Sequence, residues 1–490
     1  MSARVRYALL SLVLTVGSPL LTQSVLAQAT AANTEVAVET GRLKGVEADG
    51  VVAFKGIPFA APPVGDLRWR APQPAASWAG VRDASAYGHD CAQLPFPSDA
   101  APIGTPPAED CLYANVWRPV RAAGKLPVLV WIYGGGFLNG GASPPTYAGT
   151  ELAKQGILVF SFNYRLGRFG TFAHPALLKA DADSGLVANY GYMDQIAALR
   201  WVKRNIAAFG GDPANVTIVG ESAGGMSVHA LVTSPMTKGL FGRAVIQSGG
   251  GRAGMMGDNS LAAAERAAIG FAQGKGIDGT GADALARLRA LPADAVVDGL
   301  NLMAIFAPKP GPRTYTAPVA DGRVAVDSVA AYDSGAFAHV PVMVGATSAD
   351  IGGTTGPMVE GARHMAALLS DAAVPAYYYR FSYVAQSARA RSPDGASHAS
   401  DIPFFFHTEA VKYGAATSAG DVDMGRIASA YLVNFVKKGD PNGGGLPRWE
   451  RYSRADDGML DLSAGGKASF GKDPLGGTLD AVARNVEAGK

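Results

Sequence analysis

Short apolar segments recur along the chain, and each of them ends at a glycine or a polar residue. The clearest are LPVLVWIYGG, GILVFSFNY, VTIVG, RAVIQSGG and VPVMVGA. Runs of this kind are typical of parallel strands buried on both faces. Helical patterns lie between them, and the clearest is GYMDQIAALRWVKRNIAAFGGDP. This alternation predicts an α/β protein with a mostly parallel, doubly wound central sheet and helices on both faces.

Two further patterns lie near the ends of the chain. VAVETGRLKGV alternates about a glycine-containing turn and predicts a small amino-terminal antiparallel hairpin. MGRIASAYLVNFVKKGDPN predicts a helix with lysines in its last turn and a glycine after it. No internal repeat or low-complexity linker divides the chain. We therefore expect a single domain over residues 30–490.

The first 29 residues resemble a secretory signal peptide. Arg4 and Arg6 precede an apolar run, and small residues follow around Ala27 and Ala29. A membrane anchor is the alternative, but the apolar run is short and is broken by a Gly-Ser-Pro sequence. No later segment is long and apolar enough for a membrane span. We expect an exported protein in the periplasm or the medium, and composition favours neither.

Charge and cysteine content limit the partners. The formal net charge of +2 falls to zero once the two leader arginines are removed, so strong binding to nucleic acid or anionic lipid is not expected. The only two cysteines are Cys91 and Cys111, and an isolated pair in an oxidising compartment favours a disulfide over a metal site. The sequence predicts no oligomeric state.

The segment VTIVGESAGGMSV contains the pattern G-x-S-x-G around Ser222, with a strand pattern before it and a helix pattern after it. This is the setting of a nucleophile elbow, in which small flanking residues permit a tight turn. A plain strand-to-helix connection is the alternative. A phosphate-binding loop is disfavoured because no lysine follows the last glycine.

An activated serine needs a base and an acid, which follow it along the chain in this arrangement. His398 lies in the glycine-containing loop GASHASDIPFFF after an aromatic strand pattern, where such sheets assemble ligand and catalytic groups. His407 is the nearest rival, and His229 is expected in the core. Asp350 follows the strand VPVMVGA and is the predicted acid, with an ordinary solvated loop aspartate as the alternative.

Backbone N–H donors for a developing oxyanion are predicted in WIYGGGF, where three glycines follow a strand upstream of the serine. Ala223, the residue after the serine, would supply another N–H. A flexible loop alone would also explain the glycines.

Together these motifs resemble those of the type-B carboxylesterases, the cholinesterase-like branch of the α/β-hydrolases. The resemblance extends from near residue 36 to beyond residue 450 and includes FKGIPFAAPPVGDLRWRAPQP, EDCLYANVWRP, FNYRLGRFG and KKGDPN. It implies an α/β-hydrolase fold and hydrolysis of a small-molecule carboxylic ester through an acyl-enzyme. It implies no metal and no organic cofactor.

The resemblance also implies roles for particular residues. The triad is Ser222, His398 and Asp350, and the oxyanion hole consists of the N–H groups of Gly135, Gly136 and Ala223. Cys91 and Cys111 match the family's amino-terminal disulfide near the active-site entrance. Glu221 matches an acidic residue close to the histidine, and Ser248 matches a member of an inner hydrogen-bond network.

Three departures from the family pattern affect these expectations. Relatives usually carry glutamate where this chain has Asp350, and serine is common where it has Gly250. The segment between Asp350 and His398 is also shorter than usual, which predicts a more open site for bulky or extended esters. Two alternatives remain: a binding or adhesion module without catalysis, and an amidase, thioesterase or lactonase that uses the same site.

Overall fold

A large mixed sheet forms the centre of the protein. The computed structural model describes Met1 and residues 34–96, 101–252, 257–306 and 311–488. The predicted signal peptide therefore lies outside the described residues except for Met1. The described residues from position 34 onward form one compact unit.

The strands are named β1 to β16 in chain order. They are β1 (Glu35–Val38), β2 (Gly41–Lys44), β3 (Val46–Ala48), β4 (Val51–Pro58), β5 (Val81–Asp83), β6 (Tyr113–Pro119), β7 (Leu126–Ile132), β8 (Leu158–Phe162), β9 (Thr171–Phe172), β10 (Ala188–Asn189), β11 (Gly211–Glu221), β12 (Arg243–Gln247), β13 (Val342–Thr347), β14 (Ala376–Phe381), β15 (Gly458–Leu462) and β16 (Ala468–Lys472).

The α-helices are named α1 to α15 in chain order. They are α1 (Thr150–Lys154), α2 (Gly167–Gly170), α3 (Pro175–Ala180), α4 (Tyr190–Asn205), α5 (Ala223–Thr233), α6 (Leu261–Gly274), α7 (Ala282–Arg289), α8 (Ala293–Val297), α9 (Met303–Phe306), α10 (Ser328–Asp333), α11 (Pro357–Asp371), α12 (Ile402–Phe406), α13 (Glu409–Tyr413), α14 (Ala419–Lys438) and α15 (Gly476–Ala488). Short 3-10 helices cover Gly65–Leu67, Pro145–Tyr147, Ile206–Phe209, Pro235–Thr237, Gln386–Arg391 and Gly414–Ala416.

The described residues form an eleven-stranded central sheet in the order β16-β15-β14-β13-β12-β11-β7-β8-β6-β4-β3. Neighbouring strands from β15 through β11 and β7 to β8 are parallel. The pairs at the two edges are antiparallel. The mostly parallel sheet predicted from the apolar runs is therefore confirmed.

Burial explains why the central strands are so apolar. Every residue of β8, β13 and β14 is buried, and helices pack on the sheet, with α5 against β11 and β12 and α11 against β13 and β14. A strand covered in this way has no solvent-facing side, so polar residues do not alternate along it.

The two terminal patterns also form as predicted. The hairpin is β1 paired antiparallel with β2, and β5 adds a third, parallel strand. The helix predicted from MGRIASAYLVNFVKKGDPN is α14, which begins with a capping box between Ser418 and Asp421. It ends at Lys438 and is capped by Gly439, whose φ of 74° is the left-handed conformation that favours glycine. No helix in the described part of the chain is long and apolar enough to cross a membrane.

Parallel strands place their carboxyl ends at one edge of a sheet, which is where doubly wound proteins bind ligands. Five neighbouring strands, β7, β11, β12, β13 and β14, end on the same side here because each pair is parallel. The three glycines follow β7, Ser222 follows β11 and Ser248 follows β12. Asp350 lies in the segment after β13, and His398 lies in the segment after β14. The topology therefore brings all the predicted site segments to one edge.

Candidate active site

Ser222 lies at a sharp turn between β11 and α5. Its backbone has φ 55° and ψ −122°, a strained conformation for a residue with a side chain. The turn closes tightly, since a Cβ on Gly220 would be 2.2 Å from the carbonyl oxygen of Gly224. A Cβ on Gly224 would be 2.0 Å from the carbonyl oxygen of Ile132 in β7. Only glycine fits at both positions, as a nucleophile elbow requires.

His398 lies between Ser222 and Asp350. Its Nε2 is 2.8 Å from Ser222 Oγ, and its Nδ1 is 2.6 Å from Asp350 Oδ1. Because an ionised carboxylate can only accept, Nδ1 is the nitrogen that carries the proton, and Nε2 is left to accept from the serine hydroxyl. The arrangement could remove the hydroxyl proton as the oxygen attacks a carbonyl carbon.

Two hydrogen bonds join the loops that carry Asp350 and His398. Ala349 N donates to Ala396 O at 2.9 Å, and Ala396 N donates to Ser348 Oγ at 3.0 Å. These bonds tie the loop after β13 to the loop that carries the histidine, 48 positions farther along the chain. The short separation between acid and histidine therefore does not prevent their contact.

Asp350 is buried and surrounded by donors. Its Oδ2 accepts from Ser248 Oγ at 2.7 Å, from Thr347 Oγ1 at 2.7 Å and from Thr347 N at 3.1 Å. Burial alone would raise the pKa of Asp350, but the hydrogen bonds from His398, Ser248 and Thr347 hold it below its usual value. The carboxylate stays ionised at neutral pH and can stabilise a charged imidazole.

Ser248 thus contacts the carboxylate directly, in agreement with the network that the resemblance implies. Thr347, which donates two of the bonds to Asp350, is missing from the residues predicted from sequence. The sequence pattern that could have identified Thr347 is a hydroxyl residue at the end of a strand, three positions before an acidic residue.

Glu221 is buried beneath the histidine, with Oε1 3.4 Å from His398 Nε2. Burial raises the pKa of Glu221 to about 8, against the opposing charge of His398. Burial lowers the pKa of His398, but the charge of Glu221 and the hydrogen bond to Asp350 outweigh it and raise that pKa to about 9. A proton gained by Glu221 removes the charge that favours imidazolium, so the two groups compete for protonation.

Asp401 is a second buried acid near the histidine that the sequence patterns do not indicate. It is fully buried at the start of α12, and burial raises its pKa to about 7. No side chain in the described part of the chain donates a hydrogen bond to its carboxylate oxygens. Protonation would remove the cost of a buried charge there.

Gly135 and Gly136 follow β7 and line the cavity beside Ser222 and Ala223. Both have positive φ, 104° and 63°. A Cβ on Gly135 would be 2.2 Å from Asn139 O, so that position also requires glycine. Ala223 is the first residue of α5, where the N–H groups at the start of a helix lack intrahelical acceptors. These N–H groups could stabilise an oxyanion next to the serine.

The cavity above these residues has a volume of about 470 Å³. That is within the usual range for a small-molecule site. The side chain of His398 keeps 24% of its surface exposed, so the histidine is accessible from the cavity. The walls are mostly apolar and include Phe96, Tyr147, Leu302, Met358 and Ile402.

Cys91 and Cys111 form a disulfide. The segment between them includes Phe96 and Ala101, which both line the cavity. The disulfide therefore closes a loop from which two residues line the cavity. Among the described residues, no group of three or more His, Cys, Asp or Glu side chains could hold a metal ion.

The other histidines discussed above lie elsewhere. His229 is buried, with Nδ1 3.0 Å from the hydroxyl oxygen of Tyr332, and burial lowers its pKa to about 4. His407, the rival base, caps α12 and lies 3.5 Å from Glu409. His398 is the histidine that contacts Ser222.

Comparison with known proteins gives the family. The profile described as "Carboxylesterase family" matches residues 32–361 and 354–474. Fumonisin B1 esterase of Sphingopyxis macrogoltabida is 33% identical over 477 residues, which cover 85% of this chain and 84% of that protein. Para-nitrobenzyl esterase of Bacillus subtilis (strain 168) is 48% identical over 222 residues, 44% of each chain.

A solved structure of PNB esterase has the same fold, with a TM-score of 0.78 and 30% identity. The match covers 91% of this chain and 98% of that one. The chain belongs to the carboxylesterase family, and it is an ester-hydrolysing enzyme of the α/β-hydrolase fold.

Proposed function

We propose that this esterase acts through a Ser222, His398 and Asp350 triad and a covalent acyl-enzyme. The observation that carries the proposal is the continuous pair of hydrogen bonds from Ser222 Oγ to His398 and from His398 to Asp350. The buried position of Asp350, surrounded by hydrogen-bond donors, supports its role as the carboxylate that orients the histidine.

In the first step Ser222 Oγ attacks the ester carbonyl carbon while His398 Nε2 takes the hydroxyl proton. The carbonyl oxygen becomes negative and is stabilised by the N–H groups of Gly135, Gly136 and Ala223. His398 then gives the proton to the departing alkoxide, which leaves as the alcohol. The acyl group remains bonded to Ser222.

In the second step water takes the place of the alcohol. His398 removes a proton from the water as its oxygen attacks the acyl carbon, and the same N–H groups stabilise the new oxyanion. The carboxylic acid leaves as the proton returns to Ser222 Oγ. Asp350 stays ionised throughout and stabilises the imidazolium in both steps.

We further propose that the substrates include bulky or extended esters. The accessible His398 and the cavity of about 470 Å³ favour this breadth. The names of two relatives, fumonisin B1 esterase and para-nitrobenzyl esterase, also support the proposal that the substrates include bulky esters. Esters of tertiary alcohols are a further expectation, from the three-glycine motif. We also propose export, which the disulfide supports because such bonds persist in oxidising compartments.

A panel of matched carbonyl substrates tests the reaction class. Para-nitrobenzyl acetate, the corresponding acetamide, the corresponding thioacetate and a lactone are compared by release of acid or by ring opening. We expect the ester to have a far higher kcat/KM than the amide, because an alkoxide needs less protonation to leave than an amine. Faster cleavage of the amide, or no cleavage of any ester, would overturn the proposal.

Labelling by a fluorophosphonate probe separates an enzyme from a binding module. The probe should modify the folded protein at a single site and abolish ester hydrolysis in proportion to labelling. An unlabelled, folded protein would instead support the non-catalytic alternative.

A further inference from the structure

The segment that carries the proposed oxyanion donors, residues 134–140, is folded back on itself. We call it the oxyanion segment. Gly135 O accepts a hydrogen bond from Asn139 N at 3.0 Å. A Cβ on Gly140 would lie 2.7 Å from Gly134 O, so the end of the segment packs on its beginning. The location of the donor N–H groups at the beginning therefore depends on what holds the end.

Gln93 holds Gly140 at two points. Gly140 N donates to Gln93 Oε1 at 2.9 Å, and Gln93 Nε2 donates to Gly140 O at 2.7 Å. Because Gly140 offers one donor and one acceptor, only this orientation of the amide satisfies both. Gln93 Nε2 also donates to Cys91 O at 3.0 Å, and the side chain is buried. The Gln93 amide therefore fixes the backbone at the end of the oxyanion segment.

Asn139 joins the oxyanion segment to two other parts of the chain. Its Nδ2 donates to Leu94 O at 2.7 Å and to Gln93 Oε1 at 3.2 Å. Its Oδ1 accepts from Leu302 N at 2.7 Å. The side chain is buried, and both ends of its amide are bonded to protein groups. Asn139 therefore orients the segment through the protein rather than through the substrate.

The loop closed by the disulfide is the common point of attachment. Gln93 and Leu94 lie two and three residues after Cys91, within that loop. Asp90, immediately before Cys91, accepts a hydrogen bond from Ser143 Oγ, just beyond the oxyanion segment. The disulfide loop and the oxyanion segment are thus connected by hydrogen bonds on both sides of the same cysteine.

One further bond holds the middle of the oxyanion segment, where Gly167 N donates to Phe137 O at 2.7 Å. Without the Gln93 amide, the N–H and C=O groups of Gly140 would lose their partners and would have to turn toward water to regain them. The segment should then shift about the remaining anchor rather than unfold. A shift on the order of 1 Å is enough to cost about 10²-fold in rate, because oxyanion donors act over hydrogen-bond distances.

We propose that Gln93 and Asn139 are positioning residues for the oxyanion hole, and that they connect the disulfide loop to the rate of the chemical steps. The inference rests on the proposed hydrolysis at Ser222 with N–H donors from Gly135 and Gly136. Gln93 is not among the described residues that line the active-site cavity, so its effect passes through the oxyanion segment.

Replacing the carbonyl oxygen of the substrate by sulfur tests the oxyanion hole separately from the rest of the site. The two substrates are para-nitrobenzyl acetate and its thionoester, in which sulfur replaces only the carbonyl oxygen. The measured quantity is the ratio of kcat/KM for the ester to kcat/KM for the thionoester, each divided by its rate with hydroxide. The wild-type ratio should exceed one, because N–H groups placed for oxygen stabilise the larger, more weakly accepting sulfur less.

Gln93→Met keeps the length of the side chain and removes its four hydrogen bonds. For the ester, kcat and kcat/KM should fall equally, by roughly 10-fold to 100-fold, because the lost interaction is made in the transition state. The ratio of ester to thionoester should fall with them. Asn139→Ala removes the bonds to Leu94 O and Leu302 N and should lower the same ratio. It is an independent test if Gln93→Met does not fold, as judged by its melting temperature.

Gln155→Met is the matched control. It removes an amide that donates to Glu151 O at 3.4 Å and to Ser429 Oγ at 3.1 Å, in contacts with α1 and α14. This control should leave kcat and the ratio unchanged.

Two results would overturn the proposal. One is a folded Gln93→Met or Asn139→Ala variant that keeps the wild-type ratio, even if its kcat falls, because a merely structural defect slows both substrates alike. The other is an equal decrease of the ratio in Gln155→Met. A wild-type ratio of one or less would instead count against the oxyanion hole itself, and this inference would fail with the proposed function.

Discussion

The floor and the rim of the active-site cavity are built from different kinds of structure. On the floor, Ser222 and the three glycines directly follow strands of the central sheet, and a Cβ at Gly135, Gly220 or Gly224 would collide with backbone. On the rim, Arg391 and Lys412 extend from short helices and are exposed. The floor is constrained by main-chain packing, whereas the rim depends on side chains that can change without disturbing the sheet.

This difference separates chemistry from specificity. In the proposed mechanism, groups on the floor act on the reacting atoms in a site partly shielded from water, where each is expected to contribute orders of magnitude in rate. An exposed charge on the rim is screened by solvent and changes the rate by only a few-fold. The comparison therefore predicts a steep decrease in mutational effect from Ser222 outward.

The largest effect is expected for Ser222→Ala. Without the nucleophilic oxygen no acyl-enzyme forms, and by the precedent of serine proteases kcat should fall on the order of 10⁶-fold. Ester hydrolysis at saturating substrate measures it. Ser392→Ala, which removes a rim hydroxyl from the same cavity, is the control and should keep most of the activity. Equal losses in the two variants would remove the distinction between floor and rim.

Asp350→Asn should have the next largest effect. The amide can donate to His398 Nδ1 and so favours the tautomer that cannot accept the serine proton, and the serine-protease precedent gives a loss of about 10⁴-fold in kcat. Asp394→Asn removes an acid in the same segment as His398 and should be close to neutral. A variant at position 350 that kept most of its kcat would assign the orienting role to another group.

Gly135→Ala tests the oxyanion loop. The new Cβ would lie 2.2 Å from Asn139 O, at a φ of 104°, so the loop must move away from the serine. Loss of an oxyanion donor costs about 10²-fold to 10³-fold in kcat. Gly124→Ala is the matched control, since Gly124 also has positive φ, 91°, but no atom within 4 Å of the added Cβ. Melting temperatures of both variants separate backbone strain from loss of function.

Glu221→Gln should mainly change the pH dependence. The histidine must be neutral to accept a proton, so kcat/KM should rise with pH through the raised pKa of His398, about 9 with Glu221 ionised. Removing the carboxylate removes a charge that favours imidazolium, so the midpoint should move to lower pH. The control Glu487→Gln, an exposed change on α15, should leave the profile unchanged. A midpoint that stayed constant or rose in Glu221→Gln would contradict this electrostatic relation.

The floor could be predicted from sequence because its requirements are local. The glycines around Ser222 and after β7 are close to recognisable strands, and Asp350 lies three positions after the end of another. Parallel topology then implies that strand ends meet at one edge. The family, the fold and esterase activity are confirmed, while the catalytic roles of Ser222, Asp350 and His398 remain predictions.

The features that were missed depend on contacts between distant segments. Asp401 is close to Asp350 only because the loop after β13 lies against the loop that carries His398. Thr347 is the exception, since it contacts Asp350 from three positions away. The segment QSARARSP contains both Arg389 and Arg391. The sequence alone does not indicate that, of these two, only Arg391 lines the cavity. The signal peptide over residues 1–29 is still a prediction.

Trapping the acyl-enzyme shows whether Ser222 is the nucleophile and whether His398 activates it. The wild-type protein is mixed with para-nitrophenyl acetate, quenched in acid within milliseconds, and examined by intact-mass and peptide mass spectrometry. We expect one acetyl group per molecule on Ser222, formed far more slowly in His398→Ala. An acetyl group on another residue, or equally rapid acetylation of Ser222 without His398, would contradict it.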